Sequence, residues 1–410
     1  MQTIKKQDKQ IFDLIQKEQK RQTETIDLIA SENYPSKAVR EALGSIYVAK
    51  YSEGRPFKRY YGGMENVDAL ETLVEERARK VFGIGTEWAV NVQPYSGSPA
   101  NYAIERGLLN LKDKILSVEL SHGGHLTHGS PVSVSGMDFT ITHYPMDPKT
   151  HQIDYAKVAE IAKKEKPKMI ITGYTAYQRS VDFKKFGQIA KSVHAYLMAD
   201  ISHIAGLVVG KAHPSPFPYA DVVMTTTHKS LRGPRGAMIL CREELREKIF
   251  PKVFPGLQGG PHNHTIAALG VALKEAGTPA FAKYAAQIVK NAQELANALQ
   301  QYEFAIVTGG TDNHMMLVDL TNKNIRGKQA QELLESAGIV TNRNTIPYDA
   351  HSPFNPSGIR LGTPAITTRG MKEKEMRQIA SWIHEVIENP KIALRVKKQV
   401  ASFCKKFPLP

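Results

Sequence analysis

From about residue 81 the chain alternates short apolar runs with stretches whose apolar residues recur at helical spacing. The runs are Trp88–Val92, Lys114–Val118, Met169–Thr172, Tyr196–Ala199 and Val222–Thr225, several of them rich in β-branched residues. Runs this short that are apolar on both faces predict buried strands. Strands alternating with helices predict an α/β domain with a mostly parallel central sheet. Ligands of such sheets bind beyond the carboxyl ends of the strands, so the residues that follow each run are where chemistry is expected.

The two ends of the chain read differently. Ile11, Phe12, Leu14 and Ile15, then Ile26, Leu28 and Ile29, recur among Lys, Gln and Glu and predict a helical arm with little core of its own. Such an arm suits packing on a neighbouring subunit. After Phe254-Pro-Gly-Leu-Gln-Gly-Gly-Pro261, one long helical stretch is expected from about Thr265 past Gln300. A smaller α+β unit follows, with strands at Phe304–Val307 and Met315–Val318. The expected organisation is an arm and loop over 1–80, a large α/β domain over 81–280 and a small C-terminal α+β domain over 281–410.

Composition changes this picture little. Of 410 residues, 41% are apolar and 23% charged, ordinary for a globular protein. The net charge of +14 raises nucleic acid as a partner, but the cations are dispersed and do not interleave with aromatics, so a nucleic-acid role is not expected. Two cysteines imply no disulfide framework. The polar first ten residues lack the apolar core of a secretory signal, and no apolar run reaches the roughly 20 residues of a membrane helix. A cytoplasmic protein without a membrane partner is expected.

Candidate chemistry centres on Asp221-Val-Val-Met-Thr-Thr-Thr-His-Lys-Ser-Leu-Arg-Gly-Pro-Arg-Gly236. This puts Lys229 at the end of a buried run, where desolvation and nearby cations lower an amine's pKa and make it nucleophilic. Just upstream, Tyr196-Leu-Met-Ala-Asp200 ends in a carboxylate. A lysine at one strand end and an aspartate at another is what pyridoxal 5'-phosphate (PLP) requires. The amine forms a Schiff base, and the carboxylate keeps the pyridine nitrogen protonated so that the ring accepts electrons. Alone, Lys229 reads as one surface cation among many; Asp200 argues otherwise.

A phosphate cradle is the next requirement. In Tyr95-Ser-Gly-Ser-Pro-Ala-Asn101, Ser98 suits a helix N-cap and Pro99 the first helical position. Helix-start N–H groups with the Ser96 and Ser98 hydroxyls suit a dianion, although a plain capping loop fits the segment equally well. Ser121-His-Gly-Gly-His-Leu-Thr-His128 spaces three histidines as a metal site might, but the paired glycines disfavour a helix and no Glu or Cys completes a ligand set. No metal is expected there, and His125 suits stacking on a cofactor ring. Arg360, between glycines in Ser357-Gly-Ile-Arg-Leu-Gly-Thr-Pro364, suits a carboxylate, and a structural arginine fits as well. Glu53 is the one acid in a Tyr/Gly-rich loop over 51–63 and suits general acid/base work.

These segments resemble the serine hydroxymethyltransferase family, PLP enzymes of fold type I, the aspartate aminotransferase type. The resemblance runs through Leu28-Ile-Ala-Ser-Glu-Asn33, Arg59-Tyr-Tyr-Gly-Gly63, Leu120–Gly129, Thr225-Thr-Thr-His-Lys229, Phe254–His262, Gly310-Thr-Asp-Asn-His314, Asn344-Thr-Ile-Pro347 and Ser357–Ala365. It implies transfer of the hydroxymethyl carbon of L-serine to tetrahydrofolate, giving glycine and 5,10-methylenetetrahydrofolate. It implies Lys229, Glu53, His125, Asp200, Thr226 and His228 as the reacting set. Ser96, Gly97 and Ser98 take the phosphate, joined by Tyr51 and by Gly260 from a second copy of the chain. Thr175 and His203 face the cofactor's phenolic oxygen. Arg360 and Ser31 hold the substrate carboxylate, with Glu53 and Tyr61 near the serine hydroxyl and the folate. Leu120, Gly124, Leu126, Asn344 and Phe354 line the pterin site. A homodimer or tetramer follows from a site shared between copies.

The chain departs from the family pattern in places. Arg55 and Phe57 stand where an aromatic and a glycine are expected, Ser98-Pro99 where Ala-Gln is, Gln178 for a proline, Ser202 for an alanine, Ala237 for a glycine and Thr175 for a serine. Because Arg55 and Phe57 adjoin Glu53, a PLP-dependent β-hydroxy amino acid aldolase or an α-methylserine hydroxymethyltransferase is the alternative reading.

Overall fold

In the computed structural model, which describes residues 2–410, the apolar runs become a seven-stranded sheet. Its strands are β1 (Trp88–Asn91), β2 (Lys114–Val118), β3 (Thr140–Tyr144), β4 (Met169–Gly173), β5 (Tyr196–Asp200), β6 (Val222–Thr226) and β7 (Ala237–Arg242). They lie in the order β1-β7-β6-β5-β4-β2-β3, and only β7 runs antiparallel to its neighbours. Strands β3 and β7 were not anticipated. Thr140-Ile-Thr-His-Tyr144 alternates polar with apolar residues and is only partly buried, as suits a sheet edge.

Successive residues feed opposite faces. Ile170, Leu197 and Val223 join one core with Leu116, whereas Met169, Met198 and Val222 join a second with Ile115. Burial on both faces is why β4 and β6 contain no exposed residue, and why their sequences read as unbroken apolar runs.

The long C-terminal helical stretch is two helices, Asn263–Ala276 and Pro279–Gln301, rather than one. Gly277 ends the first. Thr278 caps the second through its side chain, with Pro279 at the first helical position. A four-stranded antiparallel sheet follows, built from β8 (Ala305–Ile306), β9 (Met315–Asp319), β10 (Asn342–Asn344) and β11 (Gly358–Gly362) in the order β8-β9-β11-β10.

Near the N-terminus, helix α1 (Lys9–Glu24) has no buried residue, and Ile11 and Leu14 stand exposed on it. The next segment turns into the C-terminal unit: Ile26 pairs in parallel with Ile339, and Ile26 and Leu28 are buried in that unit's core. Arg369 ties both chain ends together, donating to the carbonyls of Thr23, Thr25, Cys404 and Phe407. Among the described residues no helix is long and apolar enough to cross a membrane.

Candidate active site

The carboxyl ends of the parallel strands open into a cavity of about 440 Å³. Its lining includes Ser31, Ser96, Gly97, Ser98, His125, Thr175, Asp200, His203, Thr226, His228, Lys229 and Arg360. Residues far apart in sequence meet there because most lie at the ends of strands or helices, with Arg360 reaching in from the middle of β11. Asp200 closes β5, Thr226 closes β6, and Lys229 lies in the turn beyond it.

Helix α2 (Gly97–Leu108) begins two residues before the expected start. Ser96, not Ser98, is its N-cap, and Pro99 falls inside the first turn, where a missing N–H costs nothing. The Ser96 side chain makes no capping hydrogen bond, so the helix-start N–H groups remain available to an anion. A Cβ on Gly97 would come within 2.8 Å of the Thr226 side chain, so only glycine lets the helix approach β6 this closely.

Asp200 is engaged on both oxygens. His128 Nε2 lies 3.0 Å from Oδ2, Asn101 donates to the same oxygen at 3.1 Å, and Ser202 donates to Oδ1 at 2.6 Å. Burial alone would raise its pKa, but the hydrogen bond and charge of His128, with His125 and Ser202, hold it well below the usual carboxylate range. Ser202, a departure from the family pattern, thus adds a donor to this carboxylate. Lys229 is drawn down to about 8 by burial, with Arg360 and Arg235 lowering it further and Asp200 opposing them. His125 and His228 fall to about 4 and about 3, chiefly through burial. The Thr226 hydroxyl and His228 Nδ1 are buried without a protein partner, as are groups awaiting a ligand.

Arg360 is a buried cation whose hydrogen-bond partners are neutral. Its guanidinium is buried and donates only to neutral oxygens, Thr175 O at 2.6 Å and Asn342 Oδ1 at 3.2 Å. Burial pulls its pKa to about 10, which still leaves it cationic at neutral pH. A buried cation without a carboxylate partner is costly unless an anion arrives.

The donor set therefore matches PLP: a depressed amine, an ionised carboxylate, an anion cradle at a helix start and a guanidinium bonded only to neutral oxygens, which suits an amino-acid carboxylate. The Serine hydroxymethyltransferase family model matches residues 4–383. A curated serine hydroxymethyltransferase from Desulfotalea psychrophila (strain LSv54 / DSM 12343) is 53% identical over the whole of this chain and 96% of its own length. The chain belongs to the serine hydroxymethyltransferase family. Membership makes it a PLP-dependent enzyme of fold type I with tetrahydrofolate as co-substrate, transferring the hydroxymethyl carbon of serine and yielding glycine.

Not every expected residue reaches the cavity. Tyr51, Glu53 and Tyr61 form their own group, with Tyr61 donating to Glu53 Oε2 at 3.4 Å and the Tyr51 and Tyr61 rings 5.5 Å apart. Gly260 belongs with them: a Cβ there would lie 3.0 Å from the Tyr51 ring. None of the four lines the cavity. Leu120, Leu126 and Phe354 are exposed apolar residues. Gly124 accepts from the Thr175 hydroxyl at 2.7 Å, and Asn344 lies in β10.

The two loop departures have structural accounts. Arg55 turns into the protein body, donating to Glu71 at 2.8 Å and to Val90 O at 3.2 Å, pairing with Glu75 and lying 4.9 Å over the Phe250 ring. Phe57 takes a φ of 64°, the left-handed region where the family's glycine sits without strain. Gln178 donates to Val307 O across the two units.

Sequence reasoning passed over several contributors. His128, the last of the three evenly spaced histidines, contacts Asp200. Asn33 donates to Lys229 O at 3.0 Å and to Tyr284 at 2.7 Å, tying the Ser31 segment to the lysine turn. Asn101 and Arg235 also line the cavity. All four lie within quoted motifs, but nothing local to those motifs says which way a side chain turns.

Proposed function

We propose that the cavity residues divide the work of serine hydroxymethyl transfer among themselves, and that a second copy of the chain completes the site. The observation carrying this reading is the meeting of Lys229, Asp200, the α2 start and Arg360 in one cavity. When bound, PLP supplies an aldehyde carbon for amines and a ring that accepts the electron pair of a breaking bond at Cα. Lys229 is the amine that would hold the cofactor, and its lowered pKa keeps a fraction of that amine neutral near pH 7. Asp200 would face the ring nitrogen, Ser96, Gly97 and Ser98 would take the phosphate, and His125 would lie against the ring. Thr175 and His203 would attend the ring oxygen, with Thr226 and His228 beside the lysine.

Arg360 and Ser31 grip the substrate carboxylate and restrain the amino acid's rotation. Glu53 moves the proton at the hydroxymethyl oxygen, and Tyr61 stands with it. Leu120, Gly124, Leu126, Asn344 and Phe354 receive the pterin of tetrahydrofolate. Glu53, Tyr51, Tyr61 and Gly260 come from the second copy. Their separation from their own chain's cavity supports this, as does the exposed apolar surface around them at Ile46, Val48, Phe57 and Tyr60. A dimer is the smallest active unit, with a cytoplasmic location.

The test is a pair of variants. Lys229→Ala abolishes the visible absorbance of bound PLP and reduces turnover by orders of magnitude. Arg360→Ala mainly raises the serine KM, by a factor on the order of 100 for a lost bidentate ion pair. Full turnover by Lys229→Ala would overturn the reading, and serine cleavage indifferent to added folate would remove folate as acceptor.

A further inference from the structure

The Gly310-Thr-Asp-Asn-His314 segment has no role in the reading above, yet it sets a second imidazole behind the cavity wall. His314 is fully buried just ahead of β9, and its Nε2 lies 3.2 Å from Nδ1 of His203. The ring planes are 32° apart. The neighbouring Asn313 braces the segment, donating to Tyr177 O at 3.0 Å and accepting from Met315 N at 3.1 Å. His203 lines the cavity beside Lys229 and Arg360. Burial and these two cations hold His203 well below the ordinary imidazole pKa and take His314 down to about 3, so both rings are neutral near pH 7.

Two neutral imidazoles carry two N–H protons on four nitrogens. A 3.2 Å contact between ring nitrogens needs one proton between them, since two lone pairs repel and two protons clash. The remaining proton sits on His203 Nε2 or on His314 Nδ1. The latter is buried and has no partner, and a buried orphan donor is rarer in proteins than an orphan acceptor. We propose that His314 donates its Nε2–H to His203 and so holds His203 in the tautomer whose free N–H, on Nε2, is offered to an anionic oxygen in the cavity. His314 is thus a positioning residue. The inference rests on the assignment of the cavity to PLP and an amino acid, and the acceptor is the ring oxygen of the first or the carboxylate of the second.

Ring-15N histidine labelling tests it in protein freed of cofactor. The expected pattern is a bare Nδ1 and protonated Nε2 on His203, with a protonated Nε2 and bare Nδ1 on His314. A proton on His203 Nδ1 would overturn the proposal. A shift of the His203 Nε2 signal on adding PLP alone assigns the ring oxygen as acceptor, and a shift only on later addition of glycine assigns the carboxylate. No shift in either arm overturns the proposed donation.

His314→Gln places an amide donor the same number of bonds from the backbone and keeps the His203 pattern and most turnover. His314→Leu releases His203 into a mixture of tautomers and lowers kcat on the order of tenfold, as loss of one hydrogen bond to a charged group entails. A Gln variant as impaired as Leu would overturn the proposal. If the Leu variant fails to fold, the wild-type pattern and the Gln variant decide. The absorbance band that PLP forms with Lys229 tests the underlying reading separately. A band with the wrong His203 tautomer sinks only this proposal, and the right tautomer without a band sinks only the reading.

Discussion

A lysine amine is a useful nucleophile near neutral pH only when its surroundings disfavour the proton, and Lys229 shows how. Burial lowers its pKa, Arg360 and Arg235 assist, and Asp200 partly restores it, leaving a value of about 8. The protonated amine is inert toward aldehydes, so reactivity rises with pH as the proton leaves. In protein freed of cofactor, borohydride trapping of a small aldehyde at Lys229, quantified by mass spectrometry, rises to a midpoint at about pH 8. Asp200→Asn removes the one group that favours the charged form and moves the midpoint lower. A midpoint at the ordinary lysine value would show that the site is not desolvated.

The loop over 51–63 shows how an element with almost no core of its own is positioned. Its only regular structure is a two-residue pairing of Gly54-Arg55 with Lys58-Arg59. Arg55 and Arg59 reach down to Asp68, Glu71 and Glu75 on the helix Glu65–Phe82, and Glu71 is fully buried. Burial raises the pKa of Glu75 despite Arg55, so this network anchors the loop more than it stabilises the fold. Arg55→Ala leaves buried carboxylates short of a cation and lowers stability by about 3 kcal/mol. Arg55→Met combined with Glu75→Leu recovers most of that loss, because apolar groups replace the pair. Chemical denaturation of the two variants checks both statements, and equal losses would mean that the network contributes more than anchoring.

For the whole molecule, the separation of Glu53 from its own chain's cavity leads to a mixing experiment. Lys229→Ala and Glu53→Gln homodimers are each nearly inactive. After subunit exchange, half of the dimers pair one variant with the other and have one intact site of two. Activity then recovers to roughly a quarter of wild type, as follows from random pairing in a two-fold dimer. No recovery, with exchange demonstrated by mass, would mean that each chain builds its site alone.

Much of this protein was legible in the chain because the relevant physics is local. Runs such as Met169–Thr172 and Val222–Thr225 are buried on both faces and say so in composition alone, which made the parallel core and the places of Asp200 and Lys229 readable. Helix ends were less so: Pro99 suits several positions in a first turn, so the start of α2 shifted by two residues, and Gly277-Thr278-Pro279 broke one expected helix into two. Strand β7 pairs with β6, the strand just before it in the chain, and also with β1, which is distant in sequence, so its place between the two is set by the tertiary fold. What only the folded chain decided is direction. A residue's type and spacing do not reveal that His128 turns to Asp200, that Arg55 points inward to two glutamates, or that His314 meets His203, since each contact joins segments whose relative placement is set by packing of the whole.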